Sequence, residues 1–246
     1  MTTTELIIVF LASCLGIFVK SVVGMGYPLF AVPLISLAVG VETAVVVVSA
    51  PNLAANSTLC LQARSGLEAT RDLPALTLSA MVGAVIGTML LVSSPEEPLL
   101  IVLVSIIAVF VVQYLRAPHF RIAPHTSRRW APVAGGFAGL MQGAVGVAGP
   151  VMAVWLHGYR LRRDAYVFSI TGLFLLAGLA QVTYLVAADE YDRDRLIGSV
   201  VALGAVVVMT PVGVRVRSRL SGPAFERSVL AVLSLAAAAL IVRAAT

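Results

Sequence analysis

The sequence predicts an all-α polytopic membrane protein built as two inverted repeats, each a broken or re-entrant helical hairpin followed by three transmembrane helices. Three observations carry this. Of 246 residues, 59% are hydrophobic and only 12% charged, with a mean hydropathy of +0.99; an ordinary soluble domain has about 25% charged residues. The apolar runs are continuous rather than alternating, which argues against a barrel. The same order of elements also recurs at a shift of 122 residues. The net charge of +5 and pI near 9.7 would suit a nucleic-acid binder, but the arginines sit between long apolar runs. The expected surroundings are therefore a lipid bilayer, with no nucleic acid as partner.

Met1-Thr2-Thr3-Thr4-Glu5 carries no positive charge, and the first basic residue, Lys20, follows the apolar run. A signal peptide needs a basic region before its apolar core, so these residues are expected to be retained. Residues 6–39 then form one apolar run of 34 residues. That is too long for one straight span, which needs about 20, and too short for two. It is broken by Gly24-Met25-Gly26-Tyr27-Pro28. Proline favours the first turn of a new helix and glycine the turn before it, so the run reads as two short arms around a non-helical break. Full spans are expected at 43–62 and 73–93, and a shorter one at 99–115. Residues 118–130 read as a cytoplasmic linker rich in arginine, proline and histidine, near anionic headgroups. It separates a first repeat (1–117) from a second (131–246).

The second repeat opens with a 27-residue apolar run, 131–157, broken by Gly146-Val147-Ala148-Gly149-Pro150. Spans follow at 165–188, 196–214 and 228–242. Under the 122-residue shift Gly24 falls on Gly146, Pro28 on Pro150, Lys20 on Gln142 and Ser49 on Thr171; Gly87 meets Gly213 at 126. Three crossings per half is odd, so the halves must be inverted, a recurrent plan of secondary transporters. Loop charge agrees. If the broken runs are re-entrant, 13 arginines fall on one side and Arg193, Arg195 and Arg243 on the other. If both crossed, the arginines would divide nearly evenly. The positive-inside rule therefore favours re-entrant hairpins with both termini extracytoplasmic.

The N-terminal glycine/proline break, an apolar span ending in Gln62-Ala63-Arg64-Ser65-Gly66, and the degenerate second copy resemble the sulfite exporter TauE/SafE family over nearly the whole chain. That resemblance implies a multi-pass permease of the bacterial inner membrane that exports sulfite, sulfonates and related organic anions.

The residues suggest how an anion could be held. The second arm of each hairpin starts near Pro28 or Pro150, and a helix N-terminus attracts anions. Gly24, Gly26, Gly146 and Gly149 allow close backbone approach, and Tyr27 starts the arm. Tight hairpin packing would equally explain these glycines. Lys20 is the only lysine in the chain and lies inside an apolar run. A basic residue at membrane depth usually faces a cavity or a partner, unless it snorkels to an interface. Ser49, Asn52 and Asn56 recur at helical spacing on one face; Thr171 and Gln142 are second-copy counterparts. Interhelical hydrogen bonding is their alternative role. The glycine stripes Gly83-xxx-Gly87 and Gly135-xxx-Gly139-xxx-Gly143 read as close packing; they permit a homodimer without requiring one.

No Asp or Glu lies within an apolar segment, and no group of His, Cys and carboxylate has metal-ligand spacing. Cys14 and Cys60 read as small buried hydrophobes. Neither an enzyme nor a metal or cofactor is expected. The primary reading is a secondary permease exporting small sulfur-containing or organic oxyanions through a midplane site. Leaving a cell that is negative inside is electrically downhill for an anion, so export needs no proton relay. The alternatives are a proton-coupled anion uptake permease and a non-transporting membrane scaffold or accessory subunit.

Overall fold

A computed structural model describes residues 1–23, 25–116 and 122–216. They form nine α-helices: α1 (Thr3–Val23), α2 (Tyr27–Val39), α3 (Val41–Gln62), α4 (Leu73–Ser93), α5 (Glu96–Arg116), α6 (Pro124–Val145), α7 (Gly149–His157), α8 (Arg163–Ala187) and α9 (Arg193–Val216). A short 3₁₀ turn, Arg64–Ala69, follows α3. No strand occurs among the described residues. By length and hydropathy, α1, α3, α4, α8 and α9 can each cross a bilayer; α5 has 21 residues as well. The chain is thus an all-α polytopic membrane protein. Gly24, His119, Arg121, the basic stretch beyond 216 and the expected span 228–242 lie outside the described residues.

Polar contacts gather the connections into two ends. At one end the Met1 amino group meets the Asp194 carboxylate. Arg195 bonds Glu42 at 2.6 Å and also Glu190. The Val41 amide donates to Glu96 at 3.4 Å. At the other end Ser127 donates to Asp72 at 2.6 Å and Tyr159 to the same oxygen at 3.2 Å. The Ile122 amide donates to the Gly158 carbonyl at 2.9 Å, and Gly66 lies against the Asp164 backbone. Hence α3 and α9 run from the Glu42 end to the Asp72 end, and α4 and α8 run back. The α1–α2 hairpin leaves and returns to the Glu42 end. The α6–α7 hairpin leaves and returns to the Asp72 end.

The hairpin arms differ from the sequence expectation. The sequence predicts two short arms for each run, yet α1 and α6 have 21 and 22 residues while α2 and α7 have 13 and 9. The helix continues outward through Thr3–Glu5 in one case and through Pro124–Trp130, part of the expected linker, in the other. Backbone hydrogen bonds within a helix do not need apolar side chains, so hydropathy alone marks the boundary too far inward.

α4 packs along α6, and α1 along α9. The glycine stripes lie in the first of these contacts. A Cβ on Gly83 would strike the Gly136 carbonyl, one on Gly87 the Leu140 carbonyl, one on Gly139 the Ala80 carbonyl and one on Gly143 the Ala84 carbonyl. Backbone touches backbone, as small residues allow in membranes. The stripes are used within the chain and supply no surface for a dimer. In the α1–α9 contact a Cβ on Gly213 would meet the Ser21 side chain and, at 3.2 Å, the Phe18 carbonyl. Leu78, Val82, Ile86, Met89 and Leu90 on α4 stay exposed, an apolar face suited to lipid.

Candidate functional site

Both helix breaks open on one cavity. Its lining includes Met25, Gly26, Pro28 and Leu29 from the start of α2, and Gly146, Val147, Ala148 and Gly149 from the turn into α7. The two turns reach the same end by different means. Gly26, the N-cap of α2, has φ 115°, and Gly146, the C-cap of α6, has φ 72°. Ala148, which the repeat aligns with Gly26, has φ −124°. The left-handed step thus falls before the second break's N-cap, which is why an alanine is tolerated there.

Lys20 closes the cavity from the last turn of α1. It is 3% exposed. Its Nζ donates to Asn52 Oδ1 at 2.7 Å and to Asn56 Oδ1 at 2.6 Å, both presented by α3 one turn apart. The N–H bonds of Lys20 meet the oxygens of both amides. That orientation leaves Asn56 Nδ2 buried with no acceptor. Among the described residues, no carboxylate lines the cavity. The site therefore holds a lysine head, a spare amide donor and the first-turn N–H groups of two helices, and its described lining holds no formal negative charge.

From the second half, Gln142 and Phe174 complete the lining. Gln142 Nε2 donates to the Phe174 carbonyl at 3.4 Å, and Gln181 donates to the Gln142 carbonyl at 3.2 Å. Free space for water-sized groups comes to about 20 Å³. With the radius of water added, a sphere of that size reaches about 3 Å, which is the reach of a four- or five-atom oxyanion.

The structure thus brings together Lys20, Gly26, Pro28, Asn52, Asn56, Gln142, Gly146 and Gly149. Other expected residues lie elsewhere. Tyr27 is buried with its hydroxyl 3.2 Å from Ser13. Ser49 bonds the Val46 carbonyl and the Tyr191 hydroxyl, and Thr171 bonds the Val167 carbonyl of its own helix. Pro150 is buried in the first turn of α7 without lining the cavity. Phe174 was missed. Only the repeat could have found it, because it is the counterpart of Asn52.

Outside the helices, Tyr159 joins three elements at the Asp72 end. It accepts from Trp155 at 2.7 Å, donates to Asp72, and carries Arg71 over its ring at 4.6 Å. Burial pushes its phenol up to about 12, and the Asp72 charge adds to the shift.

The family model described as sulfite exporter TauE/SafE matches residues 8–240. No curated protein and no solved structure matches the chain. The chain belongs to the sulfite exporter TauE/SafE family, whose members are membrane transporters rather than enzymes.

Proposed function

We propose that this member of the sulfite exporter TauE/SafE family is a secondary permease exporting small oxyanions, sulfite or sulfonate in type, through a site where its two helix breaks meet. One observation carries the reading: the buried Lys20 head is held by two amide oxygens and, among the described residues, faces no carboxylate. An ammonium at membrane depth needs a partner, and a small anion is the partner that this lining leaves room for. Lys20, Asn56 and the N-terminal turns of α2 and α7 would donate to its oxygens.

Depth supports a midplane position. The short arms are about 20 Å for α2 and about 14 Å for α7 at 1.5 Å per residue, and they come from opposite ends. Together they match the hydrocarbon thickness of about 30 Å, with the breaks meeting between them. Inverted repeats are supported by reciprocal contacts. Gly87 of the first half abuts Leu140 and Gly143 of the second. Gly213 of the second abuts Phe18 and Ser21 of the first, which are the same positions under the repeat. Loop charge orients the protein in the bacterial inner membrane. Arg64, Arg71, Arg128, Arg129, Arg160, Arg162 and Arg163 belong to the Asp72 end, so that end is assigned to the cytoplasm and the N-terminus to the outside.

The test is a thermal-stability panel on detergent-purified protein with sulfite, sulfate, thiosulfate, sulfoacetate, acetate and chloride. An anion at about 100 times its Kd stabilises by about 2.7 kcal/mol. Selective stabilisation by a sulfur oxyanion, abolished in Lys20→Met, is expected. An equal response of the wild type and Lys20→Met would remove Lys20 from the site. No response to any anion would favour a scaffold.

A further inference from the structure

We propose that Lys20 is also the permease's proton-binding site: its amine takes up one proton from the adjoining aqueous side as the oxyanion binds, and gives it up when the anion leaves. The inference rests on the anion-site reading above and adds the coupling ion.

Donors and acceptors at Nζ can be counted. A neutral amine has two N–H bonds and one lone pair, and an ammonium has three N–H bonds and no lone pair. Among the described residues Nζ meets two acceptors, Asn52 Oδ1 and Asn56 Oδ1. These use both N–H bonds of the neutral amine, whose lone pair is then left toward the cavity. The third N–H of the ammonium, and its charge, find an acceptor only in an anion on the cavity side. Burying a charge without a partner is far more costly than burying a hydrogen-bonded neutral group. The same lining therefore suits an uncharged lysine without an anion and a charged one with it. The balance is RNH₂ + H⁺ + anion giving the ammonium–anion pair, with no bond broken in the anion.

Among the described residues, no other group near the cavity is placed to carry the proton. Cys14 on α1, Tyr27 on α2, Cys60 on α3, and Tyr166 and Tyr184 on α8 are the ionisable side chains within the surrounding helices, and none lines the cavity. The Tyr27 hydroxyl is engaged by Ser13, and the Tyr166 hydroxyl faces the Met25 sulfur at 4.0 Å. The remaining charged or histidine side chains described in these helices are confined to the first or last two turns: Glu5 on α1, Glu42 on α3, Glu96 and Glu97 on α5, His125, Arg128 and Arg129 on α6, His157 on α7, Arg163 and Asp164 on α8, and Arg193, Asp194, Arg195 and Arg215 on α9. Proton uptake is compatible with export. A dianion leaving with one proton still carries net negative charge down the potential, whereas a monoanion leaves electrically silent.

The experiment is calorimetric titration of the purified full-length protein with sulfate, thiosulfate and methanesulfonate, which stay ionised throughout, in two buffers of different ionisation enthalpy. It is run from about pH 6 to about pH 9. The expected result for an anion that binds is a buffer-dependent heat corresponding to uptake approaching one proton per anion at the upper end, with affinity falling by up to about tenfold per pH unit there. Lys20→Arg, whose charge is fixed, is expected to bind without uptake if it folds. Binding to the wild type with no proton uptake anywhere in the range would overturn the coupling and leave the anion site standing. Binding of none of the three anions would overturn the sulfur-oxyanion reading itself, and this inference with it.

Discussion

Aligned by the proposed repeat, the two halves of the cavity share a layout and are equipped differently. In the first half, position 20 reaches across to positions 52 and 56 and finds two asparagines. In the second, the equivalent position 142 reaches across to 174 and 178 and finds a phenylalanine carbonyl and a glycine. Gln142 Nε2 donates to the Phe174 backbone, and a Cβ on Gly178 would lie 3.3 Å from that nitrogen. The geometry of approach is kept while the chemistry is not. One half supplies the lysine and the amides that hold it; the other supplies a helix start and an aromatic wall. Side-chain chemistry is thus concentrated in one half, and a mutation scan should be lopsided between the two.

The sharpest way to break that comparison is to trim both sides. Asn56→Ala removes an acceptor of Lys20 and is expected to reduce anion-dependent stabilisation by about 1–3 kcal/mol. Gln142→Ala on the opposite wall should cost less than half as much. Equal losses in a ligand-dependent melting assay would show that the wall is a second polar face. Gly87→Ala and Gly213→Ala examine what the halves share. Each puts a methyl group into a helix contact at the same repeat position, so both should destabilise by about 1–3 kcal/mol. A loss at only one of them in unfolding measurements would contradict the reciprocal packing. Gly26→Ala against Ala148→Gly probes the two turns. The first forces a left-handed alanine and should cost about 1–2 kcal/mol; the second should stay within about 1 kcal/mol.

The smallest effect concerns pH. The Tyr159 phenol titrates near 12 in the folded protein, above its unfolded value of about 10. Its contribution is therefore complete below about pH 10 and is lost as pH rises toward the folded value. Tyr159→Phe should flatten that alkaline fall in stability. An unchanged profile would mean that another group causes it.

The all-helical membrane plan was legible in the residues because hydropathy is read directly from side-chain type. Lys20, Asn52 and Asn56 were visible as polar groups in apolar surroundings, and the structure joins them. Ser49 and Thr171 were equally visible and do not line the cavity, because a hydroxyl in a helix can satisfy itself on a carbonyl three or four residues back. Phe174 was invisible, since an aromatic residue within an apolar span carries no mark of what it faces. The long first arms escaped because α1 and α6 continue as helix past the apolar boundary. The network around Asp72 and Tyr159 also escaped, because it joins residues 87 apart through a fold that no local pattern encodes.

The unequal lengths of α2 and α7 have an electrical consequence. If voltage falls evenly along the two arms, an anion reaching the breaks from the Glu42 end crosses about 0.6 of the field, and one from the Asp72 end about 0.4. At about 2.3 kcal/mol per charge for a full 100 mV, loading a dianion together with one proton, net charge −1, from the Glu42 end changes by about 1.4 kcal/mol per 100 mV, or about tenfold in apparent affinity. Loading from the Asp72 end changes less. Half-saturation measured from the two sides of a voltage-clamped bilayer should therefore shift by different amounts, and the ratio of those shifts gives the depth of the site.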